Sequence, residues 1–193
     1  MKTTVLVFIA MCMAGTSCIR RPGDDKNKEK GKDTLRYFQV NQYLQSQIKE
    51  VNATPFFIYK IDIVNSKKDS TPINTAIFNQ ISKQFLEPDI NEDKIKKYYI
   101  ENIFEDRTTN SFTISYSTTN KELPLQNVEI LLNEDGQTVK RLFLRKFYNY
   151  PDSSAIEQLS WKPGESFQIN RSVQKSGNQE SSHQTVVVWN KNI

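Results

Sequence analysis

Apolar and polar residues alternate with a period of two from about Tyr98 onward. In one run, Phe112, Ile114 and Tyr116 are separated by serine and threonine, and residues 128–132 repeat the pattern with valine, isoleucine and leucine. This alternation is typical of β-strands with one buried and one solvated face. The second half of the chain is therefore restricted to a sheet of amphipathic strands.

Turn signals separate the strands of this region. NEDG, at Asn133 to Gly136, predicts a hairpin because Asp-Gly tolerates positive φ, and KPGE, at Lys162 to Glu165, predicts another turn. Strands joined by short turns are antiparallel. The further predicted strands are Val139 to Tyr148, Ala155 to Trp161, Phe167 to Val173 and the final segment HQTVVVWN.

Helical periodicity is confined to the preceding part of the chain. Apolar residues at helical spacing predict a helix over about Val40 to Val51, and Pro55 follows its end. Phe56 to Val64 is rich in β-branched and aromatic residues and predicts a strand, with a short return strand near Ile73. A second helix is predicted over about Thr75 to Leu86.

These elements predict one α+β domain over residues 35–193. Two N-terminal helices are expected to pack on one face of a curved, mainly antiparallel sheet, a meander of seven or eight strands. The 159 residues of this segment suffice for one hydrophobic core, because a domain of that size buries close to about 70% of its unfolded surface.

The N-terminal 17 residues have the order of a secretory signal peptide. Lys2 supplies a basic start, Val5 to Ala14 is an apolar run, and Gly15, Thr16 and Ser17 are small. The run is too short for a membrane-spanning helix, which needs about 20 apolar residues. A buried core helix fits poorly, because a polar segment follows at once.

Small residues directly before Cys18 resemble the lipobox of bacterial lipoproteins, although Gly15 stands where that family usually has leucine. The resemblance implies that Cys18 is acylated and attaches the protein to a membrane, since two or more fatty chains anchor stably. The alternative is an ordinary secreted protein with a free thiol. Because Ile19 rather than aspartate follows the cysteine, the family pattern implies the outer membrane, with the domain in the periplasm or at the cell surface.

Residues 18–34 combine this cysteine with a charged segment that predicts a flexible tether. The stretch IRRPGDDKNKEKGKDT has one aliphatic and no aromatic residue, too few to form a core. Arg20 and Arg21 lie beside the predicted lipid. There they either contact anionic headgroups or simply keep the segment soluble. Beyond the tether, 19 basic and 18 acidic residues nearly balance, which argues against a nucleic-acid partner.

Residues suited to catalysis or metal binding are few. No cysteine follows Cys18, and His183 is the only histidine, so a thiolate site or a zinc site is disfavoured. The acidic stretch EPDINED could be a calcium site, but its spacing is not that of an EF-hand loop, and helix-end solvation explains it. We therefore expect no catalytic residue, no metal and no cofactor.

One charged residue falls on an apolar strand face. Phe167, Ile169, Arg171 and Val173 share a face at period two. Arg171 is therefore a candidate ligand-binding residue, since a cation in an apolar concavity could hold a carboxylate or a lipid headgroup. The alternative is that Arg171 lies at the rim and extends its charged end to water.

The segments YFQVNQYLQSQI, QFLEPDIN and NEDGQTVKRLFLR give the chain a resemblance to lipoproteins of Bacteroidota-type bacteria. The resemblance implies location and fold but no activity. Two functions remain open, both non-catalytic: a binding module for an apolar ligand or an envelope component, and an accessory lipoprotein that docks a partner protein through aromatics such as Tyr148, Tyr150 or Trp161. A hydrolase using paired carboxylates is a third, weaker hypothesis.

Overall fold

The structure is a computed structural model that describes residues 37–177 and 179–190. The signal peptide, Cys18 and the tether lie outside these residues. The helices are α1 (Val40–Ala53), α2 (Thr75–Ser82) and α3 (Asp93–Lys96). The strands are β1 (Ile58–Val64), β2 (Lys67–Ile73), β3 (Ile100–Asp106), β4 (Ser111–Ser117), β5 (Leu125–Leu132), β6 (Val139–Tyr150), β7 (Ser153–Lys162), β8 (Ser166–Lys175) and β9 (Gln179–Val188).

All nine strands form one sheet in the order β2-β1-β9-β8-β7-β6-β5-β4-β3. Every neighbouring pair is antiparallel. The chain runs from β3 to β9 as consecutive hairpins, and β9 then pairs with β1 of the N-terminal hairpin. The two edges of the sheet are therefore β2 and β3.

Residue spacing and a capping side chain explain the positions of the helices. In α1, Val40, Leu44 and Val51 lie on one buried face, as their spacing predicts. At the start of α2, the side chain of Asn74 accepts a hydrogen bond of 3.0 Å from the backbone N–H of Ile77, which satisfies one of the free donors at a helix N-terminus. After Ser82 the chain tightens into a 3₁₀ turn, Lys83–Phe85.

One face of the sheet, here called the covered face, carries the hydrophobic core. Phe78 of α2 and Phe85 of the 3₁₀ turn are fully buried among aromatic side chains of the sheet. The ring centroids of Phe78 and Trp189 are 5.5 Å apart, and those of Phe85 and Trp161 are 5.2 Å apart. Edge-to-face contacts of this kind add to the free energy gained from burial. Trp161, predicted as an exposed contact residue, is instead a central member of this core.

The predicted α+β class, with two N-terminal helices packed on a meander, is wrong, because the fold is largely β. The strand β3 was missed: Ile103 and Phe104 are adjacent rather than alternating. The predicted second helix ends at Ser82 instead of Leu86. The sheet is also not a simple meander, since β9 is inserted between β8 and β1. Long-range pairing of this kind leaves no signal in local sequence patterns.

Within residues 37–177 and 179–190, no helix is both long enough and apolar enough to cross a lipid bilayer.

Candidate functional site

The open face of the sheet, opposite the covered face, carries a row of polar side chains that crosses four strands. Asn127 of β5 faces Arg145 of β6, Arg145 faces Gln158 of β7, and Gln158 faces Asn170 of β8. Neighbouring strands are about 4.8 Å apart. These four residues, the polar row, therefore place three amides and one guanidinium in a line about 14 Å long.

A second row lies beside the first, two residues along each strand. It consists of Glu129, Phe143, Ser160 and Gln168, which face one another across β5 to β8. Phe143 is 37% exposed, which leaves part of its ring accessible between polar neighbours. The strand register therefore sets an aromatic surface beside a line of hydrogen-bonding groups.

The two rows line a hollow of about 420 Å³ on this face. Arg141 completes its border on β6. Pockets that bind small ligands commonly span about 300–1,000 Å³ and orient their ligand by a few placed polar groups. The volume of the open-face hollow falls in this range.

Hydrogen bonds hold some of these side chains in place and leave others available. The amide of Asn127 donates to Glu129 Oε1 at 2.9 Å, and the amide of Gln168 donates to Asn170 Oδ1 at 3.0 Å. Asn127 Oδ1 is buried and has no hydrogen-bond partner in the described part of the chain. The amides of Asn127, Gln168 and Asn170 are thus held in place, and each has more donor and acceptor positions than these bonds use.

The charges of the hollow are two arginines and one carboxylate. Arg141 lies over the ring of Phe143, with its guanidinium carbon 5.9 Å from the ring centroid. Neither Arg141 nor Arg145 belongs to an ion pair among the described residues. Glu129 is the acidic member of the hollow. The hollow therefore carries a formal charge of about +1, with its arginines unneutralised.

The predicted ligand-binding residue, Arg171, lies elsewhere, on the covered face of β8. Its guanidinium donates to Glu157 Oε1 at 2.9 Å, and its side chain is 45% exposed. It borders a second cavity, of about 490 Å³, together with Lys60, His183 and Ile169. The position of Arg171 on its strand suggested a free cation that could hold an anionic ligand. Because Glu157 already neutralises Arg171, this cavity is a weaker anion site than expected.

The same cavity contains a hydrogen-bonded group around Asp62. Asp62 accepts from Thr185 at 2.8 Å, lies 3.2 Å from His183 Nε2, and pairs with Lys60 at 2.7 Å. Partial burial acts to raise the pKa of Asp62, but the hydrogen bonds from Lys60 and Thr185 and the nearby charges outweigh it and lower the pKa. His183, read from sequence as a surface histidine, is half-exposed at this rim.

Two further polar side chains, those of Lys146 and Tyr148, interact with Glu157. Lys146 is almost fully buried and faces Glu157 on the neighbouring strand. Its ammonium donates to the backbone carbonyl of Gln84, and burial lowers its pKa against the opposing effect of Glu157. Burial and the charge of Glu157 also raise the pKa of Tyr148 to about 12. Glu157 is thus the acceptor around which this cluster is arranged.

The acidic stretch EPDINED, a conceivable calcium site by sequence, follows α2. In the acidic stretch after α2, Asp89 accepts from the backbone N–H of Asn91 at 2.9 Å, and Glu92 pairs with Lys94 at 2.8 Å. In the part of the chain that the structure describes, no three His, Cys, Asp or Glu side chains are grouped to hold a metal ion. Asp89 therefore stabilises a turn, and Glu92 forms a local ion pair.

Sequence reasoning missed the open-face hollow. Its residues alternate with core residues, so each strand alone resembles an ordinary solvated face. The signal that could have found them is the excess of amides and arginines over lysines and carboxylates at the outward positions of β5 to β8. Only the strand register brings those positions into rows.

Comparison of the chain with protein-family models, with curated proteins and with solved structures finds no match.

Proposed function

We propose that this protein is a membrane-anchored, non-catalytic binding module that holds a saccharide component of the cell envelope in the open-face hollow. The observation that carries the proposal is the polar row Asn127, Arg145, Gln158 and Asn170, aligned across four strands beside Phe143.

The chemistry of the two rows fits a polyhydroxylated ligand. A sugar hydroxyl both donates and accepts hydrogen bonds, and an amide side chain offers one donor group and one acceptor. Gln158 and Asn170, the two adjacent amides of the polar row, lie on strands about 4.8 Å apart, so they can bind different hydroxyls of one sugar. The accessible ring of Phe143 can pack against the C–H face of a sugar ring, as aromatic side chains do with apolar surface.

An apolar ligand, the other ligand class expected from the sequence, has less support. On the covered face, the side chains of Phe78, Phe85 and Trp161 fill the space beneath α2. The cavity beside Arg171 on the same face is bordered by charged side chains, those of Lys60, Asp62 and Arg171. The open-face hollow is lined mainly by amide, hydroxyl and charged groups. Burying such groups against an apolar molecule would cost their hydration without replacing it.

Membrane attachment through Cys18 completes the proposal. A tether of 16 residues spans about 20–25 Å as a coil, so the domain could reach envelope components while its lipid stays in the outer membrane. Cells expressing the full chain and supplied with an alkyne-tagged fatty acid should yield a labelled protein. Cys18→Ala should remove the label and Cys12→Ala should not. Equal labelling of both variants would refute the anchor.

The binding function can be tested with a glycan array of bacterial envelope saccharides. The full chain should retain a defined set of glycans. Ser160→Trp places a large ring inside the hollow and should abolish this retention. Ser172→Trp makes the same change on the open face of β8, outside the hollow, and should leave it intact. An array without bound glycans, or equal binding by both variants, would contradict the proposal.

The edge strand β3 favours a second candidate function, the docking of a partner protein. Phe104 is 64% exposed and Ile103 is 44% exposed, on opposite faces of a strand whose outer backbone groups are unpaired in the sheet. The other edge, β2, carries Lys67, Lys68 and Pro72, which discourage strand addition. The asymmetry between the edges supports strand addition at β3.

A photo-cross-linking residue at Phe104 in the anchored full chain tests this candidate. We expect one discrete adduct from position 104 and none from position 68 on the opposite edge. Acidic residues at Glu101, Glu105 and Asp106 favour a basic partner strand, so raised salt should weaken the adduct. Equal adducts from the two positions would remove the case for docking at β3.

A further inference from the structure

We propose that the saccharide bound by the open-face hollow is acidic, and that Arg145 binds its carboxylate while the sugar ring packs on Phe143. This inference rests on the proposed function, because it specifies the ligand class of the same site.

The positive charge of the hollow is the first reason. Beyond the tether the chain is nearly neutral, with 19 basic and 18 acidic residues, yet two arginines border this hollow against one carboxylate. Neither arginine takes part in an ion pair within residues 37–177 and 179–190. An unpaired guanidinium in a hollow is suited to a ligand carboxylate, which it can bind through two parallel hydrogen bonds.

The neighbours of Arg145 are the second reason. Across the sheet it faces Asn127 on one side and Gln158 on the other, so both neighbours can hydrogen-bond a ligand without neutralising the arginine. Phe143 is two residues away on the same face of β6, at about 7 Å along the strand. A carboxylate on Arg145 therefore leaves the attached ring beside the aromatic surface.

The remaining charges favour a carboxylate over a phosphate. Arg141 is positioned over Phe143, and Glu129 lies between the two arginines on the adjacent strand. The net charge of about +1 is balanced by one monoanion. A phosphate dianion would exceed this charge and leave the occupied hollow at about −1, beside Glu129.

The test measures binding of matched pairs of oligosaccharides to the full chain in detergent micelles by titration calorimetry. Each pair is an acidic oligosaccharide, built from galacturonate, glucuronate or mannuronate, and its neutral methyl ester. We expect at least one acid to bind about tenfold more tightly than its ester. Arg145→Gln should remove this preference, while Arg107→Gln, the same change at an exposed turn outside the hollow, should retain it.

The outcomes separate this inference from the proposed function. Equal binding of acids and esters, both blocked by Ser160→Trp, would overturn the acidic ligand and leave a saccharide site. Failure of every acid and every ester to bind would overturn the acidic ligand, and an array without bound glycans would overturn the saccharide site as well. Inorganic phosphate and the unbound acidic oligosaccharide can be compared as competitors for the site. If phosphate displaces the bound acid at the lower concentration, the site is assigned to phosphate and the carboxylate proposal is overturned.

Discussion

Glu157 and Arg171 face each other on β7 and β8, and the guanidinium of Arg171 donates to Glu157 Oε1 at 2.9 Å. The two partners differ in environment, since the side chain of Glu157 is 5% exposed and that of Arg171 is 45% exposed. The carboxylate also lies opposite the buried Lys146. The role of Arg171 in the structure therefore includes covering a buried acid at the rim of the core.

Removing the two partners should have unequal effects on stability. Glu157→Gln removes the anion whose charge most favours the protonated form of the buried Lys146, and it is expected to cost about 3 kcal/mol of unfolding free energy. Arg171→Gln removes a half-exposed cation and should cost about 1 kcal/mol or less. Urea unfolding of both variants measures the difference. Equal losses would show that the acid does not organise this cluster.

Truncation of Phe78 should loosen the attachment of α2 to the sheet. Phe78 is fully buried between Phe167 and Trp189, with ring centroids 5.7 and 5.5 Å away. Phe78→Ala should lower the unfolding free energy by about 3–5 kcal/mol, through lost burial and the cavity left behind. Phe78→Leu keeps most of the volume and should cost clearly less. A loss below about 1 kcal/mol for alanine would contradict this packing.

The N-terminus of α2 offers a smaller and more local prediction. Asn74→Ala removes the acceptor for the backbone N–H of Ile77 and should cost about 1 kcal/mol. Asn74→Asp keeps an acceptor and should restore most of that stability. Denaturant midpoints of the two variants check the prediction, and identical destabilisation by both would show that the cap contributes nothing.

Acid should destabilise the fold through Asp106. Hydrogen bonds from Thr108 and Thr109 lower the pKa of this carboxyl from 3.8 to about 2. Because the unfolded chain takes up the proton first, the stability that Asp106 contributes is present above about pH 4 and is lost as pH falls through about 2. The melting temperature of Asp106→Asn should therefore fall below that of wild type at pH 7 and converge with it near pH 2.

Thr108→Val provides the control for this titration. It removes the hydroxyl bond to Asp106 but keeps the backbone N–H bond, so its effect should have the same direction and a smaller size. A difference between Asp106→Asn and wild type that stays constant from pH 7 to pH 2 would argue against the titration of this group.

Local patterns predicted the elements whose burial is one-sided. The helix α1 follows from Val40, Leu44 and Val51 at helical spacing, and β4 and β5 follow from the alternation of apolar and polar residues along each strand. The edge strand β3 was not predicted, because an edge strand can expose apolar residues on both faces, as Ile103 and Phe104 do. Alternation, the signal on which strand prediction depends, is then absent.

The candidate site depends on information that no single strand contains. Arg145 and Gln158 are neighbours only because Leu144 pairs with Leu159 in the register of β6 and β7. A shift of one residue would reverse the faces of every side chain on a strand. The position of Arg171 on the covered face could be read from its own strand, whereas its partner Glu157 required the register between β7 and β8.

The most direct test of the central claim is an NMR titration of the ¹⁵N-labelled full chain carrying Cys18→Ala, with oligosaccharides released from bacterial envelopes as the ligand. The side-chain amide signals of Asn127, Gln158, Gln168 and Asn170 report on the open-face hollow, and that of Gln84 reports on the Arg171 cavity. The account predicts saturable shifts of the four amides and no shift of Gln84. Shifts confined to Gln84, or unchanged spectra throughout, would contradict it.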